Sequence, residues 1–384
     1  MAARIALLLA SVLLTLVLFE AAIRVGLVQP LDYVISDAWW KEHWLRERKG
    51  GNPREFVELD PLLGWIPAAG LDRVPYEGVH ISTNAAHMRG REEVSLARTA
   101  PRRVVTVGDS YTFGQCVEDD ETWPAALERA LPGTEVLNLG VMGYGQDQAL
   151  LRMRRDGLPY RPDVVVFGFH PSNVRRNVLS FRDYAKPRFR LDGSELELVN
   201  VPVPPPSRYA VWWPPRLWNF VVMFRDSLRS RDPAFRRHMR ALSEAIVYRM
   251  AEEAQEAGAR LAVVYLPHPV NLGNPGPFGW PPIRQLCEEG DPETFLCVDP
   301  VPRLRALLPD DEESVREAFA CHFSAPVQEA VGRAVADTLR ARGPAVFRQA
   351  SGPARATDAA ASGPLAELSA PGPGTAGRRS AAGR

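Results

Sequence analysis

The chain predicts an α/β fold: a three-layer domain whose parallel sheet is covered by helices on both faces, with a hairpin-bearing insertion. Three observations support this. From residue 103 onward, short β-favouring runs alternate with longer segments of helical spacing. One run, 163–169, is apolar along nearly its whole length, as a strand buried on both faces requires. Finally, 384 residues with 46% hydrophobic and 24% charged content can bury the core of one large domain or two ordinary ones. No internal repeat is visible.

Charge and composition exclude several functions. Lys+Arg and Asp+Glu balance at 46 each, so no overall field points to nucleic acid as a partner. Seven histidines and four cysteines include no CxxC or HxxxH spacing, so no metal site is expected. No phosphate-binding fingerprint accompanies the glycines, and no cofactor is expected.

The amino terminus, 1–29, reads as a membrane segment. Residues 5–19 are almost wholly apolar, Glu20 interrupts, and Ala21-Ala22-Ile23 continues. A helix of about 19 residues spans roughly 28 Å, enough for a bilayer core. A cleaved signal peptide competes with an uncleaved anchor, but Glu20-Ala21-Ala22 is a poor cleavage site. The expectation is one signal-anchor, with the domain outside the cytoplasm and Glu20 and Arg24 near the outer interface or paired four apart along the helix.

Residues 30–102 form a lead-in rich in Trp and charge, including Trp39, Trp40, Trp44 and Trp65. It is expected to pack a small extra sheet beside the main domain, with His87 as a packing or surface residue. The main domain, 103–342, then unfolds in order. Strands are predicted over 104–107, 135–139, 163–169, 260–266 and 294–298. Helices are predicted over 121–131, opened by Thr122 and Pro124, and over 147–155, 234–258 and 326–339. The insertion, about 175–233, contains a hairpin over 186–198 turning at Asp192-Gly193. An irregular proline- and tryptophan-rich excursion follows and is expected to pack on the lead-in, with a lid or membrane-facing patch as the alternative. The tail, 343–384, is rich in Ala, Gly, Pro, Ser and Arg. It is expected to be disordered because it cannot offset its ordering entropy.

Chemistry concentrates around Val104-Val-Thr-Val-Gly-Asp-Ser-Tyr-Thr-Phe-Gly114. A serine at the carboxyl end of a parallel strand faces the crevice where α/β proteins bind ligands. Its hydroxyl becomes a nucleophile only beside a base, with N–H groups to hold the oxyanion. A capped tight turn is the bland alternative.

Gly-Asp-Ser-Tyr-Thr-Phe-Gly resembles the first sequence block of the SGNH/GDSL hydrolases, and the resemblance runs from about residue 60 to about 339. It implies a flavodoxin-like α/β/α fold and a serine esterase or O-acyltransferase of the membrane-anchored bacterial type. Ser110 would be the nucleophile and, through its N–H, one oxyanion donor. The loop closing Val136-Leu-Asn-Leu-Gly-Val-Met-Gly-Tyr-Gly145 resembles the second block, with Gly143 as oxyanion glycine and Asn138 as a structural asparagine. Cys321-His322-Phe-Ser resembles the last block, with His322 as base. Two blocks depart from the pattern. Gly168-Phe-His-Pro-Ser-Asn173 places Ser172 where the family has its donor asparagine, leaving Ser172 or Asn173 for that role. Ala320 and Phe319 stand where an aspartate would orient the histidine, and the nearest acids, Glu317, Asp311 and Asp310, lack the family spacing.

If Ser110 and His322 meet, Cys116 and Cys321 come close enough for a disulfide, and Cys287 with Cys297 forms a second candidate pair; four unpaired thiols are the alternative. Two functions follow from these residues. One is ester hydrolysis or acyl transfer on an extracytoplasmic small-molecule, glycan or lipid ester. The other is a fold that has lost turnover and binds carbohydrate or an envelope partner.

Overall fold

The structure is a computed structural model that describes residues 1–28, 33–48, 56–209, 216–272, 281–290, 293–309 and 311–347. Most of the carboxyl-terminal tail, 348–384, lies outside the described residues, as do Trp212, Trp213 and Asp310.

Helix α1 (Ala2–Arg24) has a mean hydropathy of 2.5 over its most apolar window and is long and apolar enough to cross a membrane. Helix α2 (Asp37–Arg48) follows, then two antiparallel pairs: β1 (Val57–Asp60) with β2 (Gly64–Pro67), and β3 (Val74–Tyr76) with β4 (Val79–Ile81). The lead-in therefore builds two small hairpins.

Five strands form the central sheet: β5 (Arg102–Val107), β6 (Thr134–Asn138), β7 (Val164–Phe169), β10 (Arg260–Tyr265) and β11 (Phe295–Val298). Their order is β11-β10-β7-β5-β6, and every pairing is parallel. All six residues of β7 are buried. Being central and covered on both faces, it reads as a continuous apolar run. The two halves of the sheet wind outward from β5 and β7, and the carboxyl ends of these strands open the crevice that receives the site.

The connecting helices are α3 (Ser110–Phe113), α4 (Trp123–Ala130), α5 (Gln146–Arg152) and α6 (Pro171–Arg176). Thr122 caps α4 by accepting from Ala125 N at 3.3 Å, with Pro124 in the first turn. Then come β8 (Arg188–Asp192) and β9 (Glu195–Val199), an antiparallel hairpin turning at Gly193-Ser194, one residue later than the sequence suggested. Gly193 has φ +59, the left-handed conformation that such a two-residue turn demands.

The excursion packs on the lead-in: Val203 N donates to Pro61 O at 2.7 Å, and Lys41 Nζ lies 5.1 Å from the centre of the Tyr209 ring. It leads into a helix absent from the sequence expectations, α7 (Arg216–Arg231), followed by α8 (Pro233–Glu256). The chain ends through α9 (Pro269–Leu272), α10 (Pro281–Glu289), α11 (Val301–Leu307), α12 (Glu312–Ala318) and α13 (Ala325–Ala341).

A buried ion pair ties the insertion to the domain. Lys186 Nζ bonds Asp147, both side chains wholly buried, and also donates to Pro187 O at 2.9 Å. Burial depresses the Lys186 ammonium and raises the Asp147 carboxyl, while their mutual attraction opposes both shifts. Removing one partner would strand a charge in the core.

Candidate active site

Strand β5 positions Ser110, the candidate nucleophile. It ends at Gly108, where a Cβ would lie 2.3 Å from Thr112 Oγ1, so only glycine lets the chain turn this sharply. Asp109 follows, fully buried, and its Oδ1 accepts from Tyr111 N at 3.1 Å. Ser110 then opens α3 and is buried. His322, the candidate base, arrives 212 residues later, from the turn between α12 and α13, where Ser324 N donates to Ala318 O at 2.9 Å. His322 Nε2 lies 2.8 Å from Ser110 Oγ. This is hydrogen-bond distance for a serine–histidine pair.

Among the described residues no carboxylate is hydrogen-bonded to the other imidazole nitrogen. His322 Nδ1 lies 3.9 Å from Cys116 Sγ and 3.8 Å from Cys321 Sγ. These two cysteines form a disulfide, Cα to Cα 6.3 Å; Cys287 and Cys297 form a second at 5.9 Å. Beyond the first bridge sits Glu77, in the turn joining β3 to β4, with Oε2 3.3 Å from Cys116 Sγ and 3.5 Å from Cys321 Sγ. Gln115 Nε2 donates to the same oxygen at 2.8 Å. Of the acids near His322 in sequence, Asp311 caps α12 by accepting from Ser314 N at 2.7 Å, and Glu317 is exposed. Burial pulls the His322 pKa below its ordinary value; the charges of Asp109 and Glu77 oppose that shift.

The loop after β6 lies alongside. Asn138 Nδ2 donates to Thr112 O at 3.0 Å and its Oδ1 accepts from Gly140 N at 3.0 Å, which binds this loop to the nucleophile's helix. Gly140 packs so closely that a Cβ would lie 2.3 Å from Phe113 N. Gly143 has φ +87, and a Cβ there would run into Arg182 and Asp183 of the insertion. Trp65 braces the loop from the lead-in: its Nε1 donates to Met142 O at 2.9 Å, and Tyr144 Oη donates to Trp65 O at 2.5 Å. Nothing in the sequence signalled that role for Trp65, because the contact spans 77 residues.

The block after β7 ties Asn173 to Asp109. Asn173 Nδ2 donates both to Asp109 Oδ2 at 3.0 Å and to Tyr144 O at 3.2 Å, while its Oδ1 accepts from His170 N at 2.7 Å. With its amide hydrogens engaged, Asn173 is a support of the nucleophile's loop rather than an open oxyanion donor. Arg176 Nη1 joins the network at 2.8 Å from Asp109 Oδ2. Burial alone would raise the Asp109 carboxyl, but the Arg176 charge and the Tyr111 N–H hold it below its usual value. Ser172 is half-buried on the first turn of α6, its N–H donating to His170 Nδ1 at 3.3 Å. His170 stacks on Tyr111 at 4.2 Å, and burial pushes its pKa down to about 3, so it is neutral. His87, outside this cluster, places Nδ1 2.9 Å from Pro67 O in the lead-in.

No family model and no curated protein matches the sequence. Among solved structures the chain is similar to a G-D-S-L family protein from Desulfitobacterium hafniense DCB-2, at 18% identity and a TM-score of 0.34, covering 62% of this chain and 98% of that one. It is also similar to TesA, at 15% identity and a TM-score of 0.36, covering 62% and 99%. A third likeness is to Axe2, an acetylxylan esterase from Geobacillus stearothermophilus, at 15% identity and a TM-score of 0.35, covering 63% and 95%.

Proposed function

We propose that this chain is a membrane-anchored serine ester hydrolase or O-acyltransferase acting on an acyl ester outside the cytoplasm, on an envelope glycan or lipid. The observation that carries the reading is the 2.8 Å separation of His322 Nε2 from Ser110 Oγ. Ser110 Oγ attacks the ester carbonyl while His322 Nε2 takes its proton. The oxyanion is held by the N–H groups of Ser110 and Gly143, with the Ser172 hydroxyl as a candidate third donor. His322 then returns the proton to the leaving alcohol, and water or a sugar hydroxyl releases the acyl group by the reverse route.

The carboxylate that usually steadies the imidazolium is replaced in two parts. The Cys116–Cys321 bridge ties the base's turn to the nucleophile's loop, which does the orienting. Glu77 supplies the opposing charge from across that bridge. Apolar helix α1 provides the anchor, and both disulfides suit an oxidising compartment.

The second reading is a fold that binds an envelope ligand without turnover. It is favoured by one observation: among the described residues no carboxylate is hydrogen-bonded to His322 Nδ1. A fluorophosphonate probe separates the two. The expected result is labelling at Ser110 in the full chain, lost in Ser110→Ala and reduced at least ~10³-fold in His322→Ala. No labelling of a folded wild-type protein would establish the binding reading instead.

A further inference from the structure

Helix α7 carries an apolar stripe that the protein leaves uncovered. Trp218, Val221, Phe224 and Leu228 are 65%, 49%, 53% and 52% exposed. Their spacing of three and four residues places them along one side of the helix. The other side is firmly docked. Met223 is buried, Asn219 Nδ2 donates to Glu42 Oε1 at 2.8 Å, and Asp226 Oδ2 accepts from Ser36 Oγ at 2.7 Å. The outward aim of the stripe is therefore set by packing.

The stripe begins where α1 ends. Glu20 accepts from Leu217 N at 2.6 Å and from Arg216 N at 3.3 Å, so a side chain of α1 satisfies the first N–H groups of α7. Phe19 meets Phe220 edge to face at 5.8 Å. These contacts place the start of α7 at the carboxyl end of the apolar span, the level of a bilayer's interface. Charge agrees with that location. Helix α7 holds four arginines against a single acid, Asp226. A basic amphipathic helix with Trp and Phe on its apolar side is the composition of an interfacial membrane helix.

We propose that α7 lies in the interfacial layer of the bilayer that α1 crosses, with Trp218, Val221, Phe224 and Leu228 among the acyl chains. Arg225 and Arg229 border the stripe and reach the lipid phosphates. The proposal rests on reading α1 as a membrane span. Continuity with that span selects lipid over a protein partner. Two contact elements, one crossing and one lying flat, fix the height and tilt of the catalytic crevice above the membrane.

The test uses the full chain in vesicles of phosphatidylcholine and phosphatidylglycerol. A benzophenone amino acid replaces Leu13, Val221, Phe224 or Tyr248, one at a time; Tyr248 is a 42% exposed residue of α8 and serves as the control. After irradiation, the expected result is a phospholipid adduct at Leu13, Val221 and Phe224, at least about fivefold above Tyr248. An adduct at Leu13 with none at Val221 and Phe224, or equal yields at Tyr248, overturns the proposal. So does crosslinking of Val221 or Phe224 to a second copy of the chain. Failure at Leu13 itself overturns the reading of α1 and the proposal with it.

Discussion

His322 Nδ1 faces Cys321 Sγ at 3.8 Å, where an orienting carboxylate would ordinarily stand. A base held this way keeps its geometry through a covalent link and receives charge stabilisation only at a distance. Both features lead to measurable consequences.

The pH dependence follows from the environment of His322. In the proposed mechanism His322 acts as neutral imidazole, and burial holds its pKa below the ordinary histidine value. The rate of Ser110 labelling is therefore expected to be level around neutrality and to fall only once the pH drops below that depressed value. Glu77 opposes the depression, so Glu77→Gln removes support for the imidazolium. The acid limb should move to still lower pH, while the plateau rate falls roughly two- to fivefold, the scale of a solvent-exposed charge pair. A profile that stays fixed in Glu77→Gln would remove Glu77 from the mechanism. An unchanged melting temperature would show that the effect is electrostatic.

Oxidation state is the second lever. The Cys116–Cys321 bridge joins residues 205 apart. Chain-entropy reasoning assigns such a link about 5 kcal/mol at most, and native bridges typically contribute 2–5 kcal/mol. The double substitution Cys116→Ser with Cys321→Ser is expected to lower the melting temperature and to slow Ser110 labelling, because the turn carrying His322 loses its tie. Peptide mapping under non-reducing conditions should yield both linked pairs. Recovery of free thiols at Cys116 and Cys321 would contradict the arrangement.

Gly143 is the third test. Its φ of +87 is strained for any side chain, and an added methyl would displace Arg182 or Asp183. Gly143→Ala should shift the loop N–H and lower the labelling rate by about 10²–10³-fold, as loss of one oxyanion donor does. Circular dichroism should show the fold retained. An unaffected rate would mean that this N–H does not hold the oxyanion.

Much of the fold was legible because it is local. The alternation of Val-rich runs with helical segments predicted all five strands of the sheet to within two residues, since a strand covered on both faces must be apolar throughout. Helix α7 was not legible for the opposite reason. Its large apolar residues point outward at 218, 221, 224 and 228, so its sequence lacks the inward-facing pattern by which a globular helix is recognised.

The sequence by itself singled out the candidate residues of the site. Ser110 follows a strand and a tight Gly-Asp turn, His322 precedes a final helix, and Cys287 and Cys297 bracket a short turn. Those features depend on backbone conformation and residue type over a few positions. Only the tertiary structure decided their partners. It placed His322 against Ser110 across 212 residues, engaged the Asn173 amide with Asp109, and set Glu77 and Trp65 of the lead-in beside the site. The physical reason is that a side chain's hydrogen-bond partner depends on which loops converge at the carboxyl ends of β5 and β7. Sheet order and packing fix that convergence, and no short stretch of sequence encodes it.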